Sequence, residues 1–205
     1  MEQLKQHFPP GIDYRIIYDT TIFVREAISS VLKTIVEAFV LVVLVVLVFL
    51  QSWRTSLIPI LAVPVSLIGT FAALLAFGYS LNLLTLLGLV LAIGIVVDDA
   101  IVVVEAVERH MARGLCPREA TITAMDEVAG PILAITTVLS CVFIPTALVP
   151  GLTGSFYRQF ALTIAFSTII SMVNSLTLSP ALCALLLQAP HERKDFLGRL
   201  LAVWL

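Results

Sequence analysis

Two adjacent carboxylates, Asp98 and Asp99, sit inside an apolar run that extends from Leu83 to Val104. The run has the length and character of a helix that crosses a bilayer. An ionised Asp at the centre of such a helix costs about 2.5–3.5 kcal/mol even on insertion scales. Two side by side add mutual repulsion. A chain that carries this pair is expected to use it, and the leading use is moving protons. On a helix the two side chains point about 100° apart. One can therefore face a bundle interior while the other meets a different neighbour. Burial and a like-charged neighbour both favour the neutral form of a carboxyl, and two such groups titrate as a coupled pair. The pair could take up a proton from one side and release it towards the other. A Lys or Arg that switches partner nearby would couple that proton to a conformational change. The drive would be about 2.3 kcal/mol per charge per 100 mV, plus about 1.4 kcal/mol per pH unit.

A blander reading ends the span at Asp98 and makes the pair a cap in water. The uncharged residues from Leu81 to Val97 come near the lower limit for a span by themselves. Against the cap, Ala100 to Val104 continue the apolar pattern, and Glu105, Glu108 and Arg109 look like the true exit.

The composition sets the solvent around this helix. Hydrophobic residues make up 60% of the 205-residue chain, charged residues 13%, and mean hydropathy is +1.06. Soluble domains carry roughly 25% charged residues. The chain is free of charge from Thr55 to Val97, from Val128 to Tyr157 and from Gln159 to Pro190. With a helix needing about 20 apolar residues to cross a bilayer, five spans are expected, at about 31–50, 56–77, 83–105, 131–149 and 161–187. The fold class is an all-α membrane protein, a five-helix bundle. It is preceded by a short strand over 11–18, where Ile12, Tyr14, Ile16 and Tyr18 alternate with polar residues. Asp19, Thr20 and Thr21 offer cap side chains for the first helix. Its early part carries Arg25, Glu26, Lys33 and Glu37 and is expected to project from the membrane, with Lys33 and Glu37 paired at i,i+4. A short helix after Pro117 is expected to end at Gly130-Pro131. Pro150 to Gly154 is expected to be a turn. A charged segment, 191–195, and an amphipathic one, 196–205, form a tail.

Orientation follows from basic residues near the spans. Arg54, Arg109, Arg113, Arg118, Arg193, Lys194 and Arg199 fall on one side and Arg158 on the other, although the N-terminal Lys5, Arg15, Arg25 and Lys33 weaken the contrast. This places the C-terminus in the cytoplasm and the strand outside it. A lone strand cannot stabilise itself, so it reads as the end of an exported domain, and the chain as a piece of something larger. No signal peptide is expected, because the stretch from Glu2 to Gln6 is largely polar and no basic-then-apolar pattern follows Met1.

Other groups carry less. Cys116 reads as a loop thiol, Cys141 and Cys183 as small buried hydrophobes. His7, His110 and His191 lie in separate segments, so no metal site is expected, nor any cofactor. No phosphate-binding glycine loop occurs, which excludes ATP as the energy source here. A net charge of −2 argues against a nucleic-acid partner. Gly88 and Gly94 are candidates for close helix approach. Asn174 and Thr177 could join a hydrogen-bond network, with back-bonding to their own helix the commoner use of hydroxyls. Glu105 reads as a surface residue.

The run from Gly94 to Glu105, with Asp98-Asp99 at its centre, resembles the fourth transmembrane helix of resistance-nodulation-division (RND) efflux pumps. Flanking motifs agree in order: Tyr18-Asp-Thr-Thr21, Phe49-Leu-Gln-Ser-Trp-Arg54, Leu57-Ile-Pro59 with Val63-Pro-Val65, Gly69-Thr70, Tyr157-Arg-Gln-Phe160 and Leu178-Ser-Pro-Ala-Leu-Cys183. The double Asp is similar to the hydrophobe/amphiphile, or multidrug, class rather than the heavy-metal class. Ala106 departs from the pattern, where Asn is expected. The resemblance implies that Asp98 and Asp99 are proton-relay residues and that the five spans are helices two to six of twelve. It implies that residues 1–20 end a periplasmic porter domain, that 21–190 are membrane domain and that 191–205 are a cytoplasmic tail. It further implies a homotrimer in the bacterial inner membrane that exports hydrophobic or amphiphilic compounds by proton antiport, with a periplasmic adaptor and an outer-membrane channel as partners. The relay Lys and Arg of the family belong to its second-half helices. These 205 residues alone are therefore not expected to pump.

Three alternatives compete with this reading. A proton-driven protein-export subunit of the same superfamily shares the helix plan, but the flanking motifs discriminate against it. A non-functional truncated membrane fragment is compatible with the pump reading. An intramembrane aspartyl protease needs two facing aspartates, whereas adjacent side chains diverge and no GxGD motif is present.

Overall fold

A computed structural model of the chain describes residues 20–50 and 52–188. All the regular structure among them is helical. The helices are α1 (Thr20–Leu50), α2 (Trp53–Ala76), α3 (Leu83–Ala112), α4 (Pro117–Thr146) and α5 (Gly151–Leu186). All five are long and apolar enough to cross a membrane, which makes this a multi-pass membrane protein. The strand expected over 11–18, the cap residue Asp19 and the tail over 191–205 lie outside the described residues.

Local chemistry explains where the helices start and stop. Asn82 begins α3 with a reciprocal cap. Its side-chain oxygen accepts from the backbone N–H groups of Leu84 and Thr85, at 2.9 and 3.0 Å, while its own N–H donates to Thr85 Oγ1 at 2.8 Å. The same Asn82 side chain donates to Gln159 of α5, tying this end of α3 across the bundle. Upstream, α2 stops at Gly78, whose φ of 73° is the left-handed conformation that favours glycine. Tyr79 N–H then reaches back to the Leu74 carbonyl at 2.9 Å, satisfying one of the helix's last acceptors.

Two expectations need correction. Helix α4 does not break at Gly130-Pro131 but runs on to Thr146 with Pro131 and Pro145 inside it. Proline removes one backbone donor, yet a break within an apolar segment would leave several polar groups unpaired. Likewise, α5 begins at Gly151, directly after the extended Pro150, so most of the stretch expected as a turn is already helical.

Helix α3 is the most enclosed of the five and α1 the least. α3 packs against each of the other four. At its middle, Ile93, Val96 and Val97 meet Val46 of α1 and Val63 of α2. Towards its C-terminal end, Val103, Val107 and Met111 meet Ile58, Ala120, Ala124, Ile132 and Cys183 from α2, α4 and α5. Close approach is set by small residues. A Cβ placed on Gly88 of α3 would lie 3.2 Å from Thr163 Cβ and 3.4 Å from the Phe160 carbonyl oxygen of α5. Gly94 meets nothing within 4 Å among the described residues and plays no such part.

Cys141 also departs from expectation: it is exposed, as is Cys116, while Cys183 is buried. Lipid and protein interior select the same apolar side chains, so an apolar run does not reveal which of its faces is covered.

Gly88 and Gly94 should thus respond oppositely to substitution in this chain. Gly88→Val is expected to destabilise the bundle by about 1–3 kcal/mol through overpacking. Gly94→Ala should be neutral or stabilising by up to about 1 kcal/mol from helix propensity. Reversible unfolding in detergent micelles measures both.

Candidate functional site: a carboxylate pair inside the bundle

The aspartates lie well within α3, which continues beyond them to Ala112. The cap reading fails on this point. Packing continues on their C-terminal side, where Ala100, Val103 and Val104 are fully buried. The two carboxylates are not equivalent. Asp99 points into the bundle and is only 6% exposed. Asp98, about 100° round the helix, is exposed. Their surroundings differ, as helix geometry requires for neighbours, and they do not form the facing dyad that a protease needs.

Asp99 accepts a hydrogen bond from Ser171 Oγ of α5, at 2.6 Å to Oδ2. Ser171 is itself fully buried. Among the described residues, no Lys or Arg pairs with either aspartate; the ion pairs involve Lys33–Glu37, Arg109–Glu127 and His110–Glu127.

Helix α5 owes its position to a polar seam on the face that also carries Ser171. Thr70 Oγ1 of α2 and Ser167 Oγ are 2.9 Å apart. Asn174 Nδ2 donates to Ser66 Oγ at 2.8 Å and to the Ala62 carbonyl at 3.3 Å, both on α2. Positions 167, 171 and 174 are spaced four and three apart, the interval that keeps them on one helical face. Asn174 thus joins an interhelical network, whereas Thr177 bonds to the Val173 carbonyl of its own helix.

The C-terminal end of α3 carries a separate set of contacts. Thr55 Oγ1 donates to Glu108 at 2.9 Å. The Glu127 carboxylate of α4 accepts from Arg109 at 2.8 Å and meets His110 Nε2 at 3.0 Å. Glu105 is exposed, as expected of a surface residue in this chain. Lys33 and Glu37 form their i,i+4 pair at 3.7 Å, both largely exposed.

Sequence reasoning located Asp98 and Asp99 but missed Ser171 and Glu127. For Ser171 a signal exists: Ser167, Ser171, Asn174 and Ser175 form a polar line at helical spacing in an apolar segment. No comparable signal marks Glu127, one charged residue within α4.

The sequence profile of the AcrB/AcrD/AcrF family matches residues 1–204. The chain is 51% identical over 204 residues to a solvent-resistant pump membrane transporter, SrpB, of Pseudomonas putida, covering 97% of this chain and 19% of that protein. It is 52% identical over 199 residues to the multidrug export protein AcrF of Escherichia coli K12, covering 95% of this chain and 19% of AcrF. It is 48% identical over 204 residues to the toluene efflux pump membrane transporter TtgE of Pseudomonas putida, covering 97% of this chain and 20% of TtgE. The chain therefore spans about a fifth of the length of these relatives. A profile match over residues 1–204 and identity near one half, on a bundle of membrane-length helices, lead to one assignment: this chain belongs to the AcrB/AcrD/AcrF family of RND efflux transporters.

Proposed function

We propose that this chain is the proton-handling part of a drug/proton antiporter that exports hydrophobic or amphiphilic compounds. The observation that carries the reading is the placement of Asp99. An ionisable group held at 6% exposure, midway along the most enclosed of five membrane-length helices, is costly unless it is used. Its neighbour Asp98 is exposed on an adjacent flank. One carboxylate is held by the bundle while the other is accessible to a further partner, an arrangement suited to passing a proton between two environments.

The relay needs a positive partner to turn protonation into motion. In the family resemblance drawn from the motifs, that Lys and Arg belong to second-half helices, and the exposure of Asp98 supports a carboxylate open to such a partner. In this reading the assembled pump is a homotrimer in the bacterial inner membrane, working with a periplasmic adaptor and an outer-membrane channel. Residues 1–20 close a periplasmic domain and 191–205 form a cytoplasmic tail. SrpB, AcrF and TtgE, described as solvent, multidrug and toluene transporters, support the substrate class.

The test is a chimaera in which residues 1–204 replace the matching segment of AcrF. Asp98→Asn and Asp99→Asn should each lower proton-coupled dye efflux by about 10²-fold or more, the typical scale for losing a positioned proton-transfer group. Undiminished efflux in both variants would sink the relay role. A second check needs only this chain in vesicles. A hydrophobic carbodiimide should modify Asp98 about tenfold faster than Asp99, corresponding to roughly 1.4 kcal/mol of shielding. Equal rates, read by peptide mass spectrometry, would contradict the difference in burial.

A further inference from the structure

We propose that Ser171 is a positioning residue for Asp99, and that the polar ties between α5 and α2 hold its hydroxyl in place for that task. The role of Asp99 as a relay group is taken from the function proposed above. The positioning itself rests on geometry alone.

Three observations support it. First, Ser171 Oγ donates a hydrogen bond to Asp99, at 2.6 Å, and its residue is fully buried. Ser171 is the side-chain donor that distinguishes the buried carboxylate from its exposed neighbour. Secondly, Ser171 lies between two ties of α5 to α2. Ser167 pairs with Thr70 one turn before it, and Asn174 bonds to Ser66 and Ala62 one turn after. Ser66, Thr70, Ser167 and Asn174 are all buried. A serine bracketed in this way cannot follow a drifting carboxylate; the carboxylate must come to it.

Thirdly, the hydroxyl has two possible acceptors. A charged Asp99 is the stronger acceptor, and the structure holds the hydroxyl on Asp99 Oδ2. Once Asp99 is protonated, that acceptor is weakened, and the carbonyl of Ser167, one turn back, becomes available. Such back-bonding is already the habit of this helix: Thr163 donates to the Gln159 carbonyl and Thr168 to the Ile164 carbonyl, each at 2.7 Å. The Ser171 hydroxyl is therefore a two-position element. It links α5 to α3 when Asp99 is charged and returns to α5 when Asp99 is neutral.

The test uses this chain in vesicles and reads Asp99 directly by two methods. Carbodiimide modification reports its shielding. The infrared antisymmetric carboxylate stretch of charged Asp99, assigned by its loss in Asp99→Asn, reports its hydrogen bonding. Ser171→Ala is expected to raise Asp99 modification about tenfold, the scale for loss of a hydrogen bond to a charged group, and to move the Asp99 band. Asp98 modification and the reactivity of the buried Cys183 thiol towards maleimide should stay unchanged. Ser171→Thr, which keeps the hydroxyl, should remain near the parent in both readouts. An Asp99 band and modification rate indifferent to Ser171→Ala would overturn the proposal. So would a joint rise at Asp98 and Cys183, which would show loosened packing instead. Because neither readout requires transport, this result is independent of whether Asp98→Asn and Asp99→Asn abolish efflux in the chimaera.

Discussion

A carboxylate inside a membrane helix bundle must find a donor, because no water is present in the hydrocarbon to supply one. Much of the arrangement around Asp99 follows from that requirement. The side chain points into the bundle and takes the Ser171 hydroxyl. That bond requires α5 to lie against α3, and α5 is in turn aligned by its own hydrogen bonds to α2 at Ser167 and Asn174. Small residues make the approach possible, with Gly88 allowing Thr163 and the backbone at Phe160 to come close. The polar groups are few, but they lie along one line of α5 and set its rotation relative to its neighbours.

The same constraint divides the five helices by role. α3 is enclosed by the other four and carries the ionisable pair. α5 brings the hydroxyls, and α2 anchors α5. α1 is largely exposed along its apolar length, with Phe23 and Phe49 among its uncovered side chains. Apart from Lys33–Glu37 on α1, the ion pairs among the described residues gather away from the aspartates, at the C-terminal end of α3, where Glu127 of α4 engages both Arg109 and His110. Surface ion pairs of this kind contribute little to stability. Their value here is geometric: they join α4 to α3 beyond the apolar core.

Much of this was legible in the sequence. Charge-free stretches of bilayer length gave five membrane-length helices, and the run through Val104 indicated that Asp98-Asp99 would not end theirs. Turn residues placed most boundaries well. The errors differ in cause. Reading Gly130-Pro131 as a break applies a rule from water, where a proline or glycine freely ends a helix; in an apolar medium the unpaired backbone groups are too costly and α4 continues. At Pro150 a connection does exist, but it is shorter than the turn residues suggest, because the extended Pro150 caps a helix that starts at Gly151. Cys141 was placed in the interior because it lies in an apolar run, yet that run also has a face turned outward.

What the sequence determined by itself was the medium, the helices and the presence of an ionisable pair within one of them. These depend on hydropathy and on local spacing, which neighbouring residues carry. Motif order added the family. The tertiary structure decided which carboxylate is buried and what bonds it. Adjacent aspartates look alike in a sequence, and the 100° between them acquires meaning only when α5 stands on one side. It also decided which apolar faces are covered, since lipid and protein interior ask for the same side chains and leave no local mark to tell them apart.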